Sequence, residues 1–144
     1  MTEPRNLGRI PLEKGSLTRE EISAIFNTLP FDLTFVDSEN SVKYFNNPYA
    51  RERIVARTEA VIGRKVQNCH PRKSIHAVNK ILEAFKNGER DVAEFWINHR
   101  GRLIYIRYFA VRDKSGRYLG TLEVTQDITD LKKIEGERRL LNWK

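Results

Sequence analysis

Along this chain the hydrophobic positions change period three times. Ile22, Ile25, Phe26 and Leu29 recur at i, i+3, i+4 and i+7, which predicts a short amphipathic helix. Thr18-Arg19-Glu20-Glu21 has the spacing of a capping box ahead of it, and Pro30 stops it. From Phe31 to Val36 and from Val42 to Phe45 the pattern alternates, with the turn-forming Asp37-Ser38-Glu39-Asn40 between, and predicts a β-hairpin. Residues 48–90 return to helical spacing. Pro48 opens one short stretch, Val61-Ile62-Gly63 closes another, and Ser74 to Lys86 forms the longest helix, buried along Ile75, Val78, Ile81, Leu82 and Phe85. Three strands follow, Val92 to Ile97, Leu103 to Val111 and Tyr118 to Gln126, joined by the tight turns Asn98-His99-Arg100-Gly101 and Asp113-Lys114-Ser115-Gly116.

The ends read differently. Residues 1–15 carry prolines and glycines without periodicity and are expected to be a flexible arm, so the α+β domain runs over 16–129. In residues 130–144, Leu131, Ile134, Arg138 and Leu141 have heptad-like spacing, which predicts an output or dimerisation helix.

Composition narrows the function classes. In 144 residues, 40% hydrophobic and 31% charged, there is enough apolar surface for one core, and no apolar run approaches the ~20 residues of a membrane span. The first residues lack the apolar core of a secretory signal, which favours a cytoplasmic location. A lone Cys69 forms no internal disulfide and no zinc knuckle. The net charge of +7 is spread along the chain without a helix-turn-helix, zinc-finger or RNP signature, so nucleic acid is not an expected partner. No catalytic constellation stands out, and the chain is not expected to be an enzyme.

Two strands, a cluster of short helices and three antiparallel strands, closed by Gly120-Thr121-Leu122-Glu123-Val124-Thr125-Gln126 and then Asp127-Ile128-Thr129, resemble the PAS family. Phe35-Val36-Asp37, Tyr44-Phe45-Asn46, Val61-Ile62-Gly63-Arg64 and Asn87-Gly88 add to the resemblance, which covers roughly residues 17–135. Asn68-Cys69-His70-Pro71 with Glu94-Phe95-Trp96-Ile97 is similar to PAS modules that microbes append to haemerythrin-like domains. The resemblance implies a five-stranded antiparallel sheet, with helices on one face enclosing a pocket and the N-terminal helix on the other. It also implies a sensory or regulatory module that binds a small-molecule ligand and signals by homodimerisation or through a partner signalling protein. Haem leads the cofactor candidates and flavin comes behind it; the alternative is a protein-interaction module with no ligand.

Six residues are candidates for ligand contact. Arg107 shares a strand face with Leu103, Tyr105, Phe109 and Val111, where a guanidinium needs a partner: Glu94 or Glu123 on a neighbouring strand, or a ligand carboxylate or haem propionate. Trp96 shares its parity with Glu94 and is expected in the core or the pocket wall. His76 lies where haem-binding PAS domains keep an iron-ligating histidine, yet helical phase turns it away from the buried stripe. Cys69 and His70 precede that helix, near the flavin-reactive cysteine of LOV domains; the following His-Pro-Arg departs from the LOV pattern and leaves haem ligation, oxidant response or loop packing. Together His70, Cys69 and His76 are the haem-iron candidates, and Asn79 could offer its amide to a ligand.

Overall fold

A computed structural model describes residues 8–143. The capping box forms as its spacing predicts: Thr18 Oγ1 accepts from the Glu21 N–H at 3.0 Å, and Glu21 Oε1 accepts from the Thr18 N–H at 2.8 Å, opening α1 (Arg19–Thr28). Ahead of it lies an unforeseen hairpin, β1 (Arg9–Pro11) paired with β2 (Ser16–Thr18). The flexible-arm expectation therefore fails over residues 9–15, while residues 1–7 lie outside the described residues. Arg9 stabilises the hairpin by donating to Ser16 Oγ at 2.9 Å and to its carbonyl at 2.8 Å, a side-chain link that hydrophobic periodicity does not register.

The main sheet comprises β3 (Asp32–Asp37), β4 (Val42–Phe45), β5 (Val92–His99), β6 (Arg102–Arg112) and β7 (Tyr118–Asp127), all antiparallel in the order β4-β3-β7-β6-β5. First and last strands thus meet at the centre, with Thr34 opposite Glu123 and Val36 opposite Thr121. A bulge in the β3–β4 pairing sets Tyr44 against Phe35 and Val42 against Val36, so these two β4 residues of equal parity face opposite sides.

One face carries α2 (Arg72–Lys86). Val36 and Val42 pack there with Val66, Val78 and Leu82. The ring of Phe26 in α1 lies 5.8 Å from that of Tyr44 on the other face, as the resemblance implies. The α+β fold with its five-stranded sheet stands.

Two expected helices do not form. Between β4 and α2 there are only the 3-10 turns Glu59–Val61 and Val66–Cys69. Residues 46–58 are irregular, because Arg51 and Arg53 bind Asp32 and Asn46 across the fold instead of supporting a local helix. After β7 the tail makes one 3-10 turn, Leu131–Lys133, and continues without helix to Trp143. Leu131, Ile134, Leu140, Leu141 and Trp143 are all exposed, and a segment of this length without tertiary packing does not sustain a helix.

Candidate functional site

The face of the sheet beneath α2 is unusually polar at its centre. Asp32 and Thr34 in β3 and Thr121, Glu123 and Thr125 in β7 alternate inward, and β6 sets Tyr108 opposite Glu123. Asp32, Thr34, Thr121 and Thr125 are buried. Burial without partners would be costly, and the segment 46–58 supplies them as arginines. Arg57 donates to Glu123 Oε1 at 3.1 Å and to Thr34 Oγ1 at 3.3 Å. Arg51 donates to Asp32 Oδ1 at 2.7 Å, while the N–H of Val55 reaches the other oxygen at 3.0 Å. Arg53 donates to the Asn46 carbonyl at 2.7 Å and its Oδ1 at 2.8 Å, with its guanidinium 5.3 Å from the Phe45 ring centre.

Beside this cluster the sheet and α2 enclose a cavity of about 20 Å³, lined by Val36, Val66, His70, Val78, Tyr108 and Glu123 among others. Tyr108 donates to Glu123 Oε2 at 3.3 Å, and burial beside that carboxylate pushes its phenol well above the usual range. His70 Nε2 is buried there without a hydrogen-bond partner. Burial lowers the imidazole's pKa, Glu123 opposes the shift and Arg57 adds to it, which keeps the ring neutral near pH 7. A neutral imidazole with an unpartnered Nε2, a phenol and a carboxylate therefore line one small space, and the Arg57 guanidinium holds that carboxylate from the neighbouring segment. Such a set can hold a polar ligand or move a proton.

Of the six expected site residues, only His70 faces this cavity. The Cys69 thiol lies 3.9 Å from the Lys65 carbonyl and packs against the valine-rich core. His76 is exposed on α2, as its phase predicts, and so is Asn79, whose amide oxygen accepts from Gln67 at 3.0 Å. Trp96 and Arg107 require correction. Their register with Tyr105 and Val124 puts them on the face away from α2, where Trp96 is 64% exposed and lines no pocket beneath α2. Arg107 pairs with neither Glu94 nor Glu123: its guanidinium stacks 4.8 Å from the Tyr105 ring centre and 5.3 Å from that of Phe109, and it donates to Gln126 at 3.0 Å. Glu94 instead accepts from the Tyr105 hydroxyl.

Cys69, His70 and His76 do not converge, and no cluster of three or more His, Cys, Asp or Glu side chains suited to a metal occurs among the described residues. A cavity of about 20 Å³ holds one water molecule, whereas pockets for cofactor-sized ligands run to roughly 300–1,000 Å³. This cavity by itself is too small for haem or flavin. Among the described residues no helix is long and apolar enough to cross a membrane.

Comparison with known proteins agrees with the geometry. The C-terminal domain of a Streptococcus mutans protein shares 35% identity, over 88% of this chain and 97% of that one, with a TM-score of 0.81. The PAS domain of Bordetella pertussis BvgS is similar over 79% of this chain and 96% of its own at 17% identity and a TM-score of 0.54. A sensory box sensor histidine kinase from Vibrio cholerae is similar over 77% and 91% at 14% identity and a TM-score of 0.53. The last two likenesses concern the fold alone. No match is found among curated proteins. With the signature of the PAS domain matched over residues 22–129, on the sheet and helices that frame the His70 cavity, the chain belongs to the PAS domain family.

Proposed function

We propose that the chain is a non-catalytic sensory module whose state is set by a small polar ligand at the cluster of His70, Tyr108, Glu123 and Arg57. The observation that carries this reading is the buried, unpartnered Nε2 of His70 beside a cavity. Buried polar groups are nearly always satisfied, and an orphan of this kind marks a place where an incoming group gains a hydrogen bond. PAS domains are typically sensory modules, and the likeness to a sensor histidine kinase is consistent with that role. The output then passes to a cytoplasmic partner signalling protein, for which a haemerythrin-like domain is one form.

Haem is the ligand this reading tests first. Titration with hemin, followed from 300 to 700 nm, is expected to give no Soret band that depends on His70. A band lost in His70→Ala and kept in His76→Ala would overturn the polar-ligand reading and make this a haem sensor. A second reading, an interaction module with a self-filled interior, is favoured by the small cavity. It predicts that no small molecule raises the melting temperature and that His70→Ala has no effect on any ligand response.

Dimerisation is assigned to the tail, whose Ile134, Leu140, Leu141 and Trp143 find no cover within one copy. Pairing with a second copy would bury them and allow the heptad-like helix to form. Deleting residues 130–144 is expected to convert a dimer to a monomer in light scattering while leaving the circular dichroism of the domain intact; an unchanged dimer would refute the assignment.

A further inference from the structure

Among the described residues, three arginines from one segment make their ion pairs with two carboxylates. Arg51 and Arg53 share Asp32, at 2.7 and 4.0 Å, while Arg57 holds Glu123 at 3.1 Å. Four of these five side chains are no more than 13% exposed, Arg51 being the exception at 29%. With His70 neutral, the cluster carries one positive charge in excess. Burial depresses the Arg53 pKa, Asp32 opposes that, and Arg57 reinforces it, as expected of a cation without a carboxylate of its own. An uncompensated charge is costly in a partly dry setting, and a single negative charge from outside would relieve it.

The cluster also shows what form that charge takes. Glu123 is held as a ligand carboxylate would be, one oxygen on a guanidinium and the other on the Tyr108 phenol. Arg57 is not fully used: its Nε serves Thr34 and one terminal nitrogen serves Glu123, which leaves the other without an acceptor among the described residues. Arg57 also borders a groove of about 690 Å³ along the edge strand, walled by Phe45 and Ile62 and carrying one cation and one carboxylate besides, Lys43 and Glu59, so it touches both the interior and the surface. That volume suits a small organic molecule.

We propose that the ligand is a small organic monocarboxylate that enters by this groove and binds Arg57 in competition with Glu123, the built-in stand-in for it. This deepens the sensory reading and rests on it. Exchange at Arg57 would loosen its tie to the sheet, so that the segment 46–58 carries occupancy outward.

The test uses the whole chain at pH 7 and low salt, with acetate, butyrate and benzoate as probes and acetamide and inorganic phosphate as controls, read by calorimetry and thermal shift. At least one carboxylate is expected to bind saturably and acetamide not at all. Arg57→Met is expected to weaken binding at least ~10-fold, the scale of one lost ion pair. Glu123→Gln removes the competitor and is expected to tighten binding by about the same factor, a gain that structural damage would not produce. Should Arg57→Met fail to fold, the Glu123→Gln result decides alone. The proposal is overturned if no carboxylate binds wild type or Glu123→Gln, if Glu123→Gln binds no more tightly than wild type, or if phosphate binds as well as the carboxylates. Binding of neutral compounds only, lost in His70→Ala, would refute it and leave the sensory reading intact.

Discussion

Asn46→Ala is expected to destabilise the domain by about 3–5 kcal/mol, because one fully buried amide joins four parts of the chain. Its Oδ1 accepts from the Leu33 N–H and from Arg53, both at 2.8 Å. Its Nδ2 donates to the carbonyls of Phe26 and Phe31, both at 2.9 Å. The end of α1, the start of β3, the exit of β4 and the arginine segment are thereby fixed to each other. Alanine keeps none of these bonds and leaves an N–H and two carbonyls without the amide, each costing about 1–3 kcal/mol if left unpaired, while Arg53 keeps its bond to the main-chain carbonyl of residue 46. Asn46→Asp keeps the acceptor but points an oxygen at two carbonyls, so it is expected to be destabilising as well. Urea unfolding checks both; a loss under about 1 kcal/mol for Asn46→Ala would mean that water replaces the amide and that the junction is not rigid.

The helices and strands that pack on the core were the legible part of this molecule. The Thr18 capping box, the buried stripe of α2 and the alternation of five strands each express a local rule that the tertiary structure obeys. Strand parity also sorted Arg107 with Tyr105 and Phe109, as observed. Parity does not say which face a helix covers, so Arg107 and Trp96 entered the candidate site although they lie on its reverse. The sequence did not disclose the hairpin at Arg9 or the irregular course of residues 46–58, since both depend on arginine side chains reaching distant partners. Arg57, Glu123 and Tyr108 were missed for the same reason. One signal was present: Asp32 and Thr34, like Thr121, Glu123 and Thr125, put polar residues at period two in strands rich in β-branched and aromatic neighbours. Two such rows in one sheet, with Arg51, Arg53 and Arg57 grouped nearby, point to a buried ionic cluster once the two strands are known to pair.

Gly120→Ala is expected to be as damaging as the loss of Asn46, by a different route. Gly120 pairs with Asp37 at the central β3–β7 seam, and a Cβ there would run into the Val36 carbonyl and come within 2.6 Å of the Phe35 ring. The carbonyl belongs to the sheet backbone and cannot rotate away, so relief requires β3 and β7 to separate locally, at a cost of about 3 kcal/mol or more. Gly116, in the β6–β7 turn, is the useful comparison: it has φ of +89° and nothing within 4 Å of where a methyl group would stand, so Gly116→Ala carries only backbone strain, about 1–2 kcal/mol. Chemical denaturation is therefore expected to rank Gly120→Ala well below Gly116→Ala in stability, and equal losses would show that the seam yields easily. The same substitution reaches the site, because Thr34 and Glu123 face each other three pairs along that seam and hold Arg57 between them. A seam forced open at Gly120 should shift that pair and weaken carboxylate binding even where the domain stays folded, whereas Gly116→Ala should leave binding unchanged.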